Sequence, residues 1–423
     1  RQRQMCIRDS KFGLQWAHDI IQSPAAWDYT TGSEAIIIAI IDSGIDPDHP
    51  DLEDKLVPGR DFVPATQDDN PRDENGHGTH VAGIAAAATN NTTGIAGMAW
   101  DAKLMPVRVL GKDGDGYTID IANGIRWAYQ HGAKILNLSF GGTVESQAMQ
   151  AAIQEAHDAG ALIFAAIGNC RVANGSSCPT ANPTYYPAAF EHVVAVAATD
   201  WDDAHTSYSQ YGPHCDIAAP GGEMTYPGDL RGIYSTMPTY TVTLTSGAYN
   251  YPINYAHLKG TSQAVPHVAG LAALIWSLDP DLTADEVWEI IRTTAVDLGA
   301  PGKDVDYGHG RINARAAVQA IAPPLAPVLD EIDNADRDGH YIVNWQPSEI
   351  TDYYILAESG TAAFKSSVQY WVSGTQFTVT AQVPGVWYYR VQASNAHGDS
   401  AWSETQSVDV VPTAPLLNPI TNP

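Results

Sequence analysis

Residues 35–52 read AIIIAIIDSGIDPDHPDL. The apolar run Ala35 to Ile41 ends on an aspartate, Asp42, and then on a turn of glycine, proline and further acids. A strand with one wet face alternates apolar and polar residues, whereas an unbroken apolar run of strand length has both faces covered. No apolar run in the chain reaches the ~18 residues of a membrane span. Four more short runs rich in branched residues follow: AKLMPVRVL (102–110), AKILNLSF (133–140), ALIFAAIGN (161–169) and HVVAVAATD (192–200). Helical patterns separate or follow them, at HVAGIAAAAT (80–89), IDIANGIRWAYQHG (119–132), ESQAMQAAIQEAHDAG (145–160), SQAVPHVAGLAALIWSL (262–278) and TADEVWEIIRTTAVD (283–297). Thr283 and Glu286 stand at capping-box spacing at the start of the last one. Strand–helix alternation of this kind predicts a three-layer α/β domain with a mostly parallel sheet, over residues 11–321.

The pattern breaks at AIAPPLAPVLD (320–330). Residues 322–328 read as a proline-rich linker. Beyond it the period becomes two, with about seven short strands over residues 329–411, so an all-β sandwich is expected. Residues 412–423 form a second proline-rich segment. At the other end, RQRQMCIRDS (1–10) is basic in an acidic chain and has no apolar core, so it is not a signal peptide. It resembles a cloning or assembly scar and is set outside the fold. A signal peptide and an N-terminal pro-segment are accordingly expected to be absent from this chain.

With 423 residues the chain is too long for one ordinary core. Its 48 acidic and 22 basic residues give a formal net charge of −26. Such a surface repels nucleic acid and anionic membranes. It suits a solubilising coat, cation binding or a secreted protein in salt water. Of the four cysteines, Cys170 and Cys178 bracket a polar loop and suit a local disulfide in an oxidising compartment. Cys215 lies beside an apolar run and reads as a buried free thiol.

Three motifs carry chemistry. Asp42 ends the opening strand, His77 lies in ENGHGTHVAG (74–83), and Ser262 lies in GTSQAVPHVAG (260–270). Taken singly each has a plain structural reading, as a turn residue, a packed histidine or a helix cap. Together they supply a serine nucleophile, an imidazole base and a carboxylate to orient that base. The blocks DSG with HPDL, GHGTHVAG and GTSxAxPHVAG resemble the signature blocks of the subtilisin-like serine proteases, the subtilases. The resemblance runs from about Trp16 to Ala320.

It implies that Asp42 orients, His77 is the base and Ser262 attacks, with His80 and His267 left to packing. Asn169, in AAIGN, matches the family's side-chain oxyanion donor. The resemblance further implies a substrate-pairing strand at Ser139, Phe140 and Gly141, a second at Gly114, Gly116 and Tyr117, and pocket walls at Ala165, Ala166 and Gly168. Tyr185 would lie at the pocket floor and make it shallow, favouring mid-sized apolar P1 residues within a broad specificity. A structural calcium would be held by Asp51, Asn91 and carbonyls of Thr89, Thr93 and Ile95, although the N-terminal glutamine ligand of many relatives is not identified here. A second calcium loop would use Asp61, Asp68, Asn70 and Asp73. The sandwich resembles a fibronectin type III domain, with Trp387 at the tyrosine-corner position. The expectation is a secreted, monomeric endopeptidase acting on protein or peptide substrates. A dedicated maturation protease and an inactive subtilase-like adhesin are the alternatives.

Overall fold

A computed structural model describes residues 7–64, 70–176 and 178–412, which divide into two compact units between Ala320 and Ile321. The first unit opens with two short helices, α1 (Trp16–Ile20) and α2 (Ser23–Ala26). Then come β1 (Ile37–Asp42), β2 (Arg60–Asp61), α3 (His77–Ala86), β3 (Lys103–Arg108), α4 (Thr118–Gln130), β4 (Ile135–Leu138) and α5 (Gln147–Asp158). β5 (Leu162–Ala166), β6 (Val193–Thr199) and β7 (Ile217–Pro220) complete a sheet of order β2-β3-β1-β4-β5-β6-β7, parallel throughout. An antiparallel pair, β8 (Ile233–Thr236) and β9 (Tyr255–Leu258), precedes α6 (Thr261–Leu278), α7 (Ala284–Thr293) and α8 (Ala314–Gln319).

Alternate residues of the sheet explain why its strands are apolar on both faces. Ala39, Ile41, Val107, Leu136, Leu138, Ile163 and Ala165 pack with Ile121 and Ile125 of α4 and Ile153 of α5 in one core. Their neighbours Ile38, Ile40, Leu104 and Phe164 are also fully buried, and α3 and α6 pack on the sheet with each other. The expected three-layer arrangement is therefore present. α6 runs through its centre, with every residue from Gln263 to Trp276 buried. Thr283 and Glu286 close the capping box on α7, where the Thr283 N–H donates to the Glu286 carboxylate at 2.8 Å.

The end of the N-terminal stretch packs on the first unit. Asp9, inside the stretch 1–10 set outside the fold, is buried, and its carboxylate accepts the N–H groups of Asn90 and Asn91 at 2.7 and 3.1 Å. A basic composition upstream said nothing about this single acid, which packs on the loop after α3.

The second unit is all-β and antiparallel: β10 (Val328–Leu329), β11 (Tyr341–Gln346), β12 (Tyr353–Ser359), β13 (Val368–Val372), β14 (Gln376–Val379), β15 (Gly385–Asn395), β16 (Gly398–Asp399) and β17 (Gln406–Val410). β10-β11-β14 form one sheet; β13-β12-β15 form another, with β16 and β17 both beside β15. β11 alternates strictly between buried and exposed residues, and Val343 and Trp345 join Leu356, Tyr389 and Val391 in the core between the sheets. Trp387 donates its indole N–H to the carbonyl of Val383, four residues upstream, at 2.9 Å. Residues 413–423 lie outside the described residues.

Candidate active site

The parallel sheet presents the carboxyl ends of its strands on one edge, where open α/β sheets place their ligands. Asp42 is the last residue of β1, and Asn169 follows β5 by three residues. His77 opens α3 and Ser262 is the second residue of α6.

Gly78 explains how His77 reaches Asp42. A Cβ at residue 78 would sit 2.1 Å from the carbonyl oxygen of Gly44, so only glycine lets the start of α3 press onto the turn after β1. The His77 Nδ1 then lies 2.8 and 3.0 Å from the two carboxylate oxygens of Asp42. Asp42 is fully buried, and the His77 side chain is 23% exposed. An Nδ1–H directed at a carboxylate leaves Nε2 as the basic nitrogen. Burial works against the charged ring, but the charge and hydrogen bond of Asp42, with Asp73 behind them, outweigh it. His77 is held above the ordinary histidine value.

Asp73, one of the acids of the second expected calcium loop, is tied into the scaffold of the site. One of its oxygens accepts from the Ser43 hydroxyl and the N–H groups of Asn75 and Gly76, at 2.8–2.9 Å. The other accepts the N–H and hydroxyl of Thr79 at 2.9 and 2.7 Å. Five donors saturate the carboxylate and tie the residue after Asp42 to the first turn of α3. Asp61 pairs with the Arg108 guanidinium, which also pairs with Glu74. A buried cation already occupies the middle of this acid cluster. Asn70 lies among the described residues at the edge of the cleft that these groups line, and Asp68 lies outside them.

Ser262 is not a helix cap. Gly260 holds the cap position, at φ +151°, and Thr261 is the first helical residue. Pro266, four residues after Ser262, has no N–H to give to the Ser262 carbonyl. The hydroxyl of the buried Ser139 fills that place, donating to the Ser262 carbonyl at 2.8 Å. Asn137 in turn donates to the Ser139 Oγ at 2.9 Å. Ser139 therefore fixes the turn that carries Ser262.

Asn169 is exposed, yet its orientation is fixed. Its Oδ1 accepts both the N–H and the hydroxyl of Thr261, at 2.9 and 3.0 Å, so its Nδ2 points elsewhere with its protons available. His80 and His267 do pack inside: the His80 Nε2 faces the Ala256 carbonyl at 3.2 Å, and the His267 Nδ1 faces the Gln263 carbonyl at 3.0 Å.

Of the expected pocket residues, Ala165, Ala166 and Gly168 are buried, Phe140 is half-buried and Gly141 is exposed. A Cβ on Gly168 would meet the Tyr185 ring at 2.7 Å, and one on Gly141 would meet it at 3.1 Å. The Tyr185 ring thus spans the gap between Gly141 and Gly168. Its hydroxyl lies 3.2 Å from the Cys170 sulfur, and Cys170 is bonded to Cys178 as expected. Gly114 and Gly116 are exposed and Tyr117 is 69% exposed, on the segment that leads into α4. Cys215 is a buried free thiol, pushed upward in pKa by that burial.

The expected calcium ligands Asp51, Thr89, Asn91, Thr93 and Ile95 lie in one region, where the loop after α3 packs on Asp51. Asp51 Oδ2 accepts from the Ile95 N–H and the Tyr255 hydroxyl, both at 3.0 Å, while its buried Oδ1 has no partner. Burial, with the charge of Asp9 adding to it, pushes Asp51 up to about 6. An orphaned, buried carboxylate oxygen next to a second acid and several carbonyls is a donor set for a hard cation. Among the described residues there is no cluster of three or more His, Cys, Asp or Glu side chains that could hold a metal. A calcium here would take most of its ligands from amide and carbonyl oxygens. The sequence carries no signal for Asp9, a lone acid in a basic stretch.

Comparison with known proteins agrees with this geometry. The Subtilase family (Peptidase S8) matches residues 33–310. The chain is 43% identical over 305 residues to thermitase from Thermoactinomyces vulgaris, covering 72% of this chain and 96% of thermitase. It is 37% identical over 308 residues to subtilisin BL from Lederbergia lenta, covering 72% of this chain and 99% of that relative. Among solved structures, a protease from Pseudoalteromonas arctica superposes with a TM-score of 0.66 at 35% identity, over 74% of this chain and 99% of that one. On its motifs, its fold and these relatives, the chain belongs to the subtilase family and is a subtilisin-like serine endopeptidase.

Proposed function

We propose that this protein is a secreted endopeptidase of broad specificity in which Asp42, His77 and Ser262 form the catalytic triad and Asn169 is the oxyanion donor. The observation that carries the reading is the His77 Nδ1 held on the buried Asp42 carboxylate at 2.8 Å. His77 Nε2 accepts the Ser262 proton as the hydroxyl attacks the scissile carbonyl. Asp42 stabilises the imidazolium that forms. The developing oxyanion is met by Asn169 Nδ2 and the Ser262 N–H, at the N-terminal end of α6 where the helix dipole is positive. His77 then protonates the leaving amine, and water attacks the acyl-enzyme with His77 again as base.

Substrate lies between two backbone strands, Ser139–Gly141 and Gly114–Tyr117, and β-pairing of this kind reads shape more than sequence. Tyr185 floors the pocket, so mid-sized apolar P1 residues fit best. Calcium would be held by Asp51, Asn91, carbonyls of Thr89, Thr93 and Ile95, and Asp9, and its part would be to hold the fold, not to enter the reaction. The Cys170–Cys178 disulfide supports an oxidising, extracellular location. No helix among the described residues is long and apolar enough to cross a membrane. The second unit, by its resemblance to fibronectin type III domains, is a binding or spacing module. Casein hydrolysis by the wild type, abolished in Ser262→Ala, tests the assignment. Turnover confined to one cleavage sequence would favour a maturation protease.

A further inference from the structure

Gln210 lies on the segment after β6 and is 1% exposed, with no part in the triad. A long amide this deeply buried must have both ends satisfied. Its Oε1 accepts the N–H of Cys170 at 3.2 Å, and its Nε2 donates to the carbonyl of Pro183. Its own backbone N–H donates to the carbonyl of Gly168 at 2.9 Å. The two partner segments are the ones the reaction depends on. Gly168 and Cys170 flank Asn169, and Pro183 precedes Tyr185 by two residues.

The packing is as specific as the hydrogen bonding. A Cβ on Gly168 would sit 1.9 Å from Gln210 Oε1, and Gly168 holds φ +116°, so the glycine leaves the space the amide fills. Asn182 reinforces the link: its N–H donates to the Cys170 carbonyl at 2.6 Å, and its side chain pairs with both the N–H and the carbonyl of Tyr211 at 3.0 Å. Asn169 is therefore held from two sides, by Thr261 at its side chain and by Gln210 at the backbone on either side of it.

We propose that Gln210 is a positioning residue that couples the oxyanion-donor segment to the floor of the primary pocket, so that one buried amide sets both turnover and P1 discrimination. This rests on the assignment of Asn169 and Tyr185 made above. Without the amide, the Cys170 N–H and the Pro183 carbonyl lose their shared partner. The Asn169 backbone gains freedom, and Tyr185 can move between the pocket walls. Small displacements of catalytic groups are costly because the bound geometry must be close to that of reaction.

The test compares wild type, Gln210→Met and Gln210→Ala on three peptide anilides that differ only in P1, as Ala, Leu or Phe. Rates are divided by active sites counted with a fluorophosphonate, so a partly folded preparation still reports. Methionine fills the space without either hydrogen bond. Val287→Ala, in a buried position on α7, a helix that carries none of the site residues, controls for lost stability alone. The expected result is a kcat per active site lowered about 10-fold in both Gln210 variants, equivalent to ~1.4 kcal/mol of transition-state stabilisation. The Leu-to-Phe ratio of kcat/KM should also narrow by several-fold, while Val287→Ala keeps both values at wild-type level. Wild-type kcat and P1 ratios per active site in Gln210→Met would overturn the proposal, as would equal changes in Val287→Ala. A wild type that neither labels nor hydrolyses would instead overturn the underlying assignment of Ser262, and wild-type kcat in Asn169→Ala would overturn that of the donor.

Discussion

His77 stands between opposing influences: burial, which favours the neutral ring, and the carboxylates of Asp42 and Asp73, which favour the charged one. The carboxylates win, so the folded pKa lies above the free value. Two consequences have definite signs. As a base His77 must be neutral, so kcat/KM should fall on the acid side through a pKa above the ordinary ~6.5. As a contributor to stability, the pairing is fully present below the unfolded pKa and is lost as pH rises through the folded one. A pH–rate profile checks the first: an acid limb at or below pH ~6 would contradict it. Asn169→Ala should lower kcat by roughly 10²–10³-fold with little change in KM, a magnitude established for the equivalent donor of a subtilisin. At this scale Asp42, His77 and Ser262 stand out in the sequence because each sits in a motif that only makes sense beside the other two. Asp73, Gln210 and Asn182 were not legible. Their roles depend on hydrogen bonds between loops far apart in the chain, and nothing in their neighbours announces such partners.

Among the elements, α6 shows how local sequence and chemistry are linked. Pro266 removes a helical hydrogen bond to the Ser262 carbonyl, and Ser139 from the end of β4 supplies it. The proline is visible in the sequence, but the donor that answers it is found only in the fold. The same helix buries His267, next to His18 of α1 at 6.2 Å between ring centroids, and α3 buries His80. Burial holds His18 down to about 4, and His80 and His267 down to about 3. Each folded value lies below the unfolded one. Their contribution to stability is therefore complete above pH ~6.5 and erodes as pH falls toward 4 and below. The thermal midpoint of Ser262→Ala, which cannot digest itself, should drop steeply between pH 6.5 and 4. A flat midpoint across that range would show that these rings charge without opening the packing of α1, α3 and α6.

At the scale of the whole molecule, the two units differ in period, sheet type and core, and the boundary read at the proline-rich linker falls within a few residues of the division after Ala320. Periodicity carried that information because a parallel sheet covered on both faces and a two-sheet sandwich write different patterns into sequence. A loop motif predicts oxygen ligands, but only the fold shows that Asp73 already accepts from five donors while Asp51 keeps a buried oxygen without a partner. Calorimetry of Ser262→Ala should resolve two transitions, with chelation of calcium lowering only the one assigned to the first unit by truncation after Ala320. An unchanged pair of midpoints in excess chelator would remove calcium from the account. The central claim is that Ser262, activated by His77 on Asp42, is the nucleophile. Its most direct test is labelling by a fluorophosphonate followed by mass spectrometry of the peptide containing residues 260–270. A single adduct on Ser262, absent in Ser262→Ala and much slower in His77→Ala, is the predicted result. No adduct, or one of equal rate in His77→Ala, would contradict it.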